Sequence, residues 1–172
     1  VTASSRALTP RLDGMDGALV DADHDGDLDI WLTNASGANE LLNNNGNGTF
    51  RPIAARAGLT GAGRGSIGSA FVDLDNDRDH DLVVLNAAPP HDVFVNDRVW
   101  TYRHAPGFAT FAAASLAAVV SADLDANGQA ELYTTDPRGT YFYSRGVNLR
   151  AIGALIPSAT ISLVFAFAPS LN

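Results

Sequence analysis

The sequence has no cysteine and no lysine, and its single methionine is Met15. Without cysteine there is no thiol nucleophile, no thiolate metal site and no disulfide. The compartment stays open, because a secreted domain can do without bridges. All 11 basic residues are arginine, which removes Schiff-base chemistry and a Walker-type phosphate loop, since both need the lysine amine. Long apolar runs are missing too. Residues 151–172 carry no charge, but Pro157 and Pro169 interrupt them. The apolar part, residues 161–168, is far short of the ~20 residues that span a bilayer. No charged-then-apolar leader is visible, and a chain that opens on Val1 reads as a mature chain or an excised piece. Positive charge is in deficit, with 11 bases against 19 acids and a net charge of −8. That balance repels phosphate backbones and weighs against nucleic acid as a partner.

What is present is globular. The chain has 172 residues, 46% of them hydrophobic and 17% charged. A closed domain of this size buries roughly 70% of its extended surface. The acids are unevenly placed. Asp21-Ala-Asp23-His-Asp25-Gly-Asp27-Leu-Asp29 forms one cluster and Asp73-Leu-Asp75-Asn-Asp77-Arg-Asp79-His-Asp81 a second. Asp123-Leu-Asp125-Ala-Asn127-Gly-Gln129-Ala-Glu131 forms a third. They begin 52 and then 50 residues apart and hold 13 of the 19 acids, so they are a repeat rather than a composition effect.

The flanks repeat as well. Ala18-Leu19-Val20, Ala70-Phe71-Val72 and Ala118-Val119-Val120 come before the clusters. Ile30-Trp31-Leu32, Val83-Val84-Leu85 and Leu132-Tyr133-Thr134 come after them. These short runs of β-branched and aromatic residues read as strands, so each acidic loop joins two strands. In the first repeat Glu40-Leu41-Leu42-Asn43 and Thr49-Phe50-Arg51-Pro52-Ile53 flank two Asn-Gly pairs, a hairpin signal. The second continues with residues 93–97 and 100–102, and the more eroded third keeps Thr140-Tyr141-Phe142-Tyr143.

Four short antiparallel strands at this period make one blade of a β-propeller. The expected fold is all-β, with about three four-stranded blades over residues 14–66, 67–116 and 117–150 of a blade region 1–150, followed by an apolar C-terminal strand or tail, 151–172. Three blades are fewer than the four to eight that close a ring, so the chain is expected to be part of a larger propeller or an assembly.

The pattern D-x-D-x-D-G-x-x-D puts carboxylates at loop positions 1, 3, 5 and 9. Hard oxygens at that spacing wrap one cation, with the carbonyl of position 7 as a further ligand. Calcium accepts six to eight oxygens at flexible distances, which suits a short loop better than the strict octahedron of magnesium. The glycine at position 6 allows the sharp bend; Arg78 replaces it in the second loop and must bend in the left-handed region. The third loop keeps Gly128 and puts the oxygen donors Asn127 and Glu131 in place of aspartates of the pattern. Without a cation the carboxylates repel one another, so raised pKa values or disorder are expected. An EF-hand is excluded because position 12 is Leu32, Val84 and Thr134 and the flanks are strands.

These repeats resemble FG-GAP/VCBS repeats, the calcium-binding blades of integrin-α-type propellers. Residues 39–50, continuing to Ala57-Gly58-Leu59, are similar to the form in bacterial propellers related to cartilage acidic proteins. The resemblance covers about residues 14–146. It implies a secreted or surface protein used in adhesion or assembly, with up to three Ca²⁺. It implies side-chain ligation by Asp21, Asp23, Asp25 and Asp29, with Asp27 acting through its carbonyl. The same roles fall on Asp73, Asp75, Asp77, Asp79 and Asp81, and on Asp123, Asp125, Asn127, Gln129 and Glu131.

Other signals carry less. Gly63-Arg-Gly65-Ser-Ile-Gly68 precedes a strand instead of opening a helix, so it reads as an inter-blade linker and not a dinucleotide loop. His24, His80, His91 and His104 have no zinc or triad spacing and read as exposed loop residues. Asn34-Ala-Ser36 and Asn47-Gly-Thr49 match the glycosylation sequon, both in places expected to be exposed. Paired carboxylates can signal glycoside hydrolysis, but here most are assigned to calcium. No catalytic constellation and no organic cofactor site emerge. The apolar alternation of residues 161–168 reads equally as a core strand or as an edge strand for a partner subunit.

The leading expectation is therefore a calcium-binding extracellular or cell-surface propeller module (periplasmic is compatible), not an enzyme, contacting protein partners or other subunits. The alternative is a carbohydrate-binding propeller using Trp100, Tyr102 and Tyr141, which requires those rings to face solvent.

Overall fold

The structure is a computed structural model. It describes residues 13–123, 126–138, 140–145 and 148–154, the last two by backbone alone. The expected strand at residues 161–168 lies outside the described residues.

Among the described residues the strands form three antiparallel four-stranded meanders. The first holds β1 (Gly14–Val20), β2 (Asp29–Asn34), β3 (Glu40–Asn44) and β4 (Phe50–Pro52). The second holds β5 (Ser66–Val72), β6 (Asp81–Asn86), β7 (Asp92–Asn96) and β8 (Tyr102–His104). The third holds β9 (Ala118–Ala122), β10 (Glu131–Thr135), β11 (Thr140–Arg145) and β12 (Asn148–Ala154). Each acidic segment is the hairpin between the first and second strands of its sheet. The pairing Val20↔Asp29 recurs as Val72↔Asp81 and Ala122↔Glu131. Strand β12 runs past residue 150, where the sequence changes from repeat to tail, and completes the third sheet.

The sheets stack through their faces, with β5 packed against β1 on one side and β9 on the other. One core fills the space between the first two sheets. Val20, Trp31 and Leu41 meet Leu82, Val84 and Phe94 there, and Trp31 meets Phe71 edge-on at 6.2 Å. A short helix, α1 (Ala54–Ala57), and Leu59 close it from the outside. The second core joins Val72, Val83, Leu85 and Val93 to Leu132. It is capped by Phe108, Phe111 and Leu116, carried by or next to helix α2 (Ala109–Ala113). Central strands β6 and β7 are buried on both faces, which is why they read as continuous apolar runs rather than alternating ones. The sheets are also pinned by polar bonds: Asp16 of β1 accepts from the backbone N–H and hydroxyl of Ser69 at 2.8 and 2.7 Å. At Gly65 a Cβ would lie 2.5 Å from the carbonyl oxygen of Ala35, so only glycine lets the linker cross the first sheet this closely.

Candidate metal centre

All three loops share one backbone frame. The position-1 carboxylates of Asp21, Asp73 and Asp123 accept the N–H of position 6, from Gly26, Arg78 and Gly128, at 3.1, 3.0 and 2.8 Å. The position-5 side chains of Asp25, Asp77 and Asn127 accept the N–H of position 7, from Asp27, Asp79 and Gln129, at 2.9, 2.9 and 2.8 Å. Position 6 is left-handed in every loop, with φ of 92° at Gly26, 75° at Arg78 and 86° at Gly128. Arg78 thus takes the bend that its loop demands. Position 4 is left-handed too, at His24, Asn76 and Ala126, with φ of 62°, 63° and 55°. None of these is glycine, which is why the sequence did not announce this second bend.

The fold brings together Asp21, Asp23 and Asp29 in the first loop and Asp73, Asp75 and Asp81 in the second. In each trio the ligand oxygens lie within 4.8 Å of one another. Oxygens on opposite sides of a Ca²⁺ are about 4.6–5.2 Å apart, so the spread fits one such ion. Asp25 and Asp77 are not in these trios; like Asp21 and Asp73, each accepts an N–H of its own loop. In the third loop Asp125 lies outside the described residues, while Asp123, Asn127 and Gln129 hold the shared frame and Glu131 is buried.

Position 9 is the anchor. Asp29 accepts from Ala22 N–H at 3.0 Å and from Asn44 N–H at 2.8 Å. Asp81 accepts from Leu74 N–H at 2.7 Å and from Asn96 N–H at 2.8 Å. Both carboxylates are fully buried. Burial pushes the Asp29 and Asp81 carboxyls up, Asp81 to about 6, against the pull of those N–H groups; the neighbouring Asp75 and Asp77 add to the rise at Asp81. Burial, and then the adjacent Asp25 and Asp77, also raise Asp23 and Asp75.

The donor set fits a hard cation. Oδ1 of Asp21 and Oδ1 of Asp23 are both shut off from solvent and meet no hydrogen-bond donor among the described residues. A buried acceptor without a partner is costly. Two of them converging in an all-oxygen cluster are what an oxygen-seeking cation satisfies.

Several site-building residues escaped the sequence. Asp79 sends its carboxylate away from its own loop, to His24 Nε2 of the first loop at 2.9 Å and to Arg98 Nε at 2.8 Å. Arg98, Val99 and Trp100 are three successive left-handed residues, with φ of 69°, 49° and 68°. L-residues pay about 1–2 kcal/mol each there. The turn is held by the Arg98–Asp79 pair, by Arg98 N–H donating to Asn96 Oδ1 at 3.1 Å, and by burial of Trp100. Tyr102 places a buried hydroxyl among the carboxylates of both loops. Burial, then Asp81, Asp29, Asp23 and Asp79, push its pKa up. The only sequence signal for this group was the recurrence of Asn44 as Asn96, 52 positions on.

Three expectations need correction. Trp100 is only 7% exposed and belongs to the core between the first two sheets, and Tyr102 packs against that core. Neither ring is a platform for a sugar, and the Tyr141 side chain lies outside the described residues. His91 is not an exposed loop residue: it is 3% exposed and its Nδ1 accepts the Asn86 N–H at 3.0 Å. Asn34 of the first sequon is buried, with its amide donated to Ala38 O at 2.6 Å, whereas Asn47 of the second is exposed in the β3–β4 hairpin.

Residues 11–84, which span the first two acidic loops, match the model of the FG-GAP-like repeat. The chain is also similar to cartilage acidic protein 1 of Mus musculus, at 37% identity over 67 residues. That stretch is 39% of this chain and 10% of the relative, so the chain spans a small part of that protein's length. Among the described residues no helix is long and apolar enough to cross a membrane.

Proposed function

From the premise that this chain carries FG-GAP-like repeats, we propose that it is a calcium-stabilised β-propeller module for protein–protein contact or assembly, acting outside the cell or at its surface and catalysing nothing. The observation that carries the reading is the pair of carboxylate trios, with the unpartnered buried oxygens of Asp21 and Asp23 in the first. A bound Ca²⁺ supplies two positive charges where the carboxylates would otherwise repel one another. The chain's part is to hold the oxygens ready. Ala22, Asn44, Leu74 and Asn96 lock position 9 by their backbone N–H groups, while the position 1–6 and 5–7 bonds set the loop curvature. Asp21, Asp23 and Asp29 would ligate in the first loop and Asp73, Asp75 and Asp81 in the second. Asp27 and Asp79 would contribute carbonyls, and Asp123, Asp125, Asn127, Gln129 and Glu131 would form a third site. Loops of this kind bind at Kd ~10⁻⁴–10⁻³ M, which calls for the millimolar calcium found outside cells.

The partner side follows from the open faces. Leu19 on the outer side of the first sheet and Val120 on the third are large apolar residues left 66% and 63% exposed. Further blades or another protein would cover them. The sugar-binding alternative loses its support with the burial of Trp100.

Calorimetric titration with calcium and with magnesium tests the reading. Saturable calcium binding with weaker magnesium binding supports it. No binding heat and no rise in melting temperature at ~10 mM calcium would sink it.

A further inference from the structure

We propose that the first two cation loops are coupled, so that filling one raises the affinity of the other, through a buried link between their position-9 carboxylates. This rests on the calcium reading of those loops. The link has two residues. Ala22 donates its N–H to Asp29 Oδ2 at 3.0 Å, and its carbonyl accepts from Asn96 Nδ2 at 3.1 Å. Asn96 in turn donates its own N–H to Asp81 Oδ1 at 2.8 Å. Asp29, Ala22, Asn96 and Asp81 are all 0% exposed, so no water competes for these bonds. Ala22 lies between Asp21 and Asp23, the residues whose buried oxygens lack partners. A cation that pulls those two carboxylates into place therefore also places the carbonyl that holds Asn96. A second tie runs nearer the surface, where His24 Nε2 meets Asp79 Oδ1 at 2.9 Å. The sign of the coupling follows from ordering. Once one loop is fixed, its neighbour has less conformational freedom left to lose when its own ion arrives.

The register sets an asparagine at this place in the first two blades. Two residues past the partners of Ile30 and Leu82 stand Asn44 and Asn96. Asn44 repeats the bonds Asn96 makes within its own blade, from its N–H to Asp29 and from its amide to Leu28 O at 3.2 Å. At the same spacing in the sequence the third repeat has Gly146, a residue without a side-chain amide.

The test is calcium-dependent hydrogen exchange, because protection of residues 73–81 reads the second loop by itself. In the full chain, Asp23→Ala disables the first loop. The calcium midpoint for protecting residues 73–81 should then rise about five-fold or more. In an Asn96→Ala, His24→Ala background the same Asp23→Ala change should leave the midpoint where it was. An unmoved midpoint in the otherwise native chain overturns the coupling and leaves the calcium reading standing. No calcium-dependent protection of either loop overturns both. Should Asn96→Ala cost the chain its β-sheet circular dichroism, His24→Ala alone is the comparison. A reduced shift there supports the coupling; a full-sized shift overturns the part given to the His24–Asp79 tie.

Discussion

His91 holds in the second blade the place that Asn39 holds in the first. Its Nδ1 accepts the Asn86 N–H at 3.0 Å, as Asn39 Oδ1 accepts the Asn34 N–H at 3.1 Å, five residues back in both cases. An imidazole in this role must be unprotonated at Nδ1, and burial lowers its pKa from the usual value of 6.5. The folded state then binds fewer protons than the unfolded one. The stabilisation is complete above pH ~6.5 and is lost as pH falls through the lowered value. His91→Asn supplies the first blade's residue, and the difference in melting temperature between native and variant chains should change sign or shrink between pH 7 and pH 5. Parallel profiles would remove His91 from the acid response.

Calcium should act on stability through Asp23. At ~1 mM calcium and Kd ~10⁻⁴ M, one site adds about 1.4 kcal/mol. Asp23→Ala should forfeit that increment in calcium, lowering the melting temperature by a few degrees. In chelator it should cost little, because it also removes a carboxylate from a repelling cluster. Equal losses in both conditions would reject Asp23 as a ligand.

The raised Asp81 carboxyl, with a pKa of about 6, predicts proton release on calcium binding. The metal-free chain should lose stability as pH rises from ~4 to ~6, because a buried carboxylate must then ionise. Calcium affinity should fall as pH drops below about 6. Calorimetry in two buffers of different ionisation heat reads the released proton directly, and Asp81→Asn should abolish that part of the difference.

Arg78 invites a gain. It occupies at φ 75° the bend that Gly26 and Gly128 fill in the other loops. Arg78→Gly should relieve about 0.5–1 kcal/mol of strain after glycine's entropy cost is set against it. Tighter calcium binding by the second loop, by up to about five-fold, is the expected outcome. Weaker binding would mean that the arginine side chain contributes to the loop.

The loops were legible because their carboxylates alternate within nine residues and recur at blade spacing, and the strands because apolar triplets flank them each time. The division of labour inside a loop was not. Position 5 of the first two loops carries the same aspartate as positions 1 and 3, yet the close trios are made by positions 1, 3 and 9. The joints between blades were hidden for another reason: Asn96 and Ala22 are 74 positions apart, and no local pattern marks such a pair. His91 and Trp100 looked like loop residues from their neighbours, and only packing from α1, α2 and the adjoining sheet encloses them. The α2 segment, rich in alanine and free of turn residues, gave no hint that it would carry Phe111 into the second core.

The joint made by Asn96 has a direction. A side chain at the end of a third strand reaches back into the acidic loop of the blade before it, and among the described residues nothing returns the same bond the other way. Such a contact is heterologous: it joins unlike surfaces and can be repeated without limit, always turning the same way. The pair of blades it joins therefore has a front and a back. Reversing the order of two blades would therefore be a different molecule, even with every strand intact.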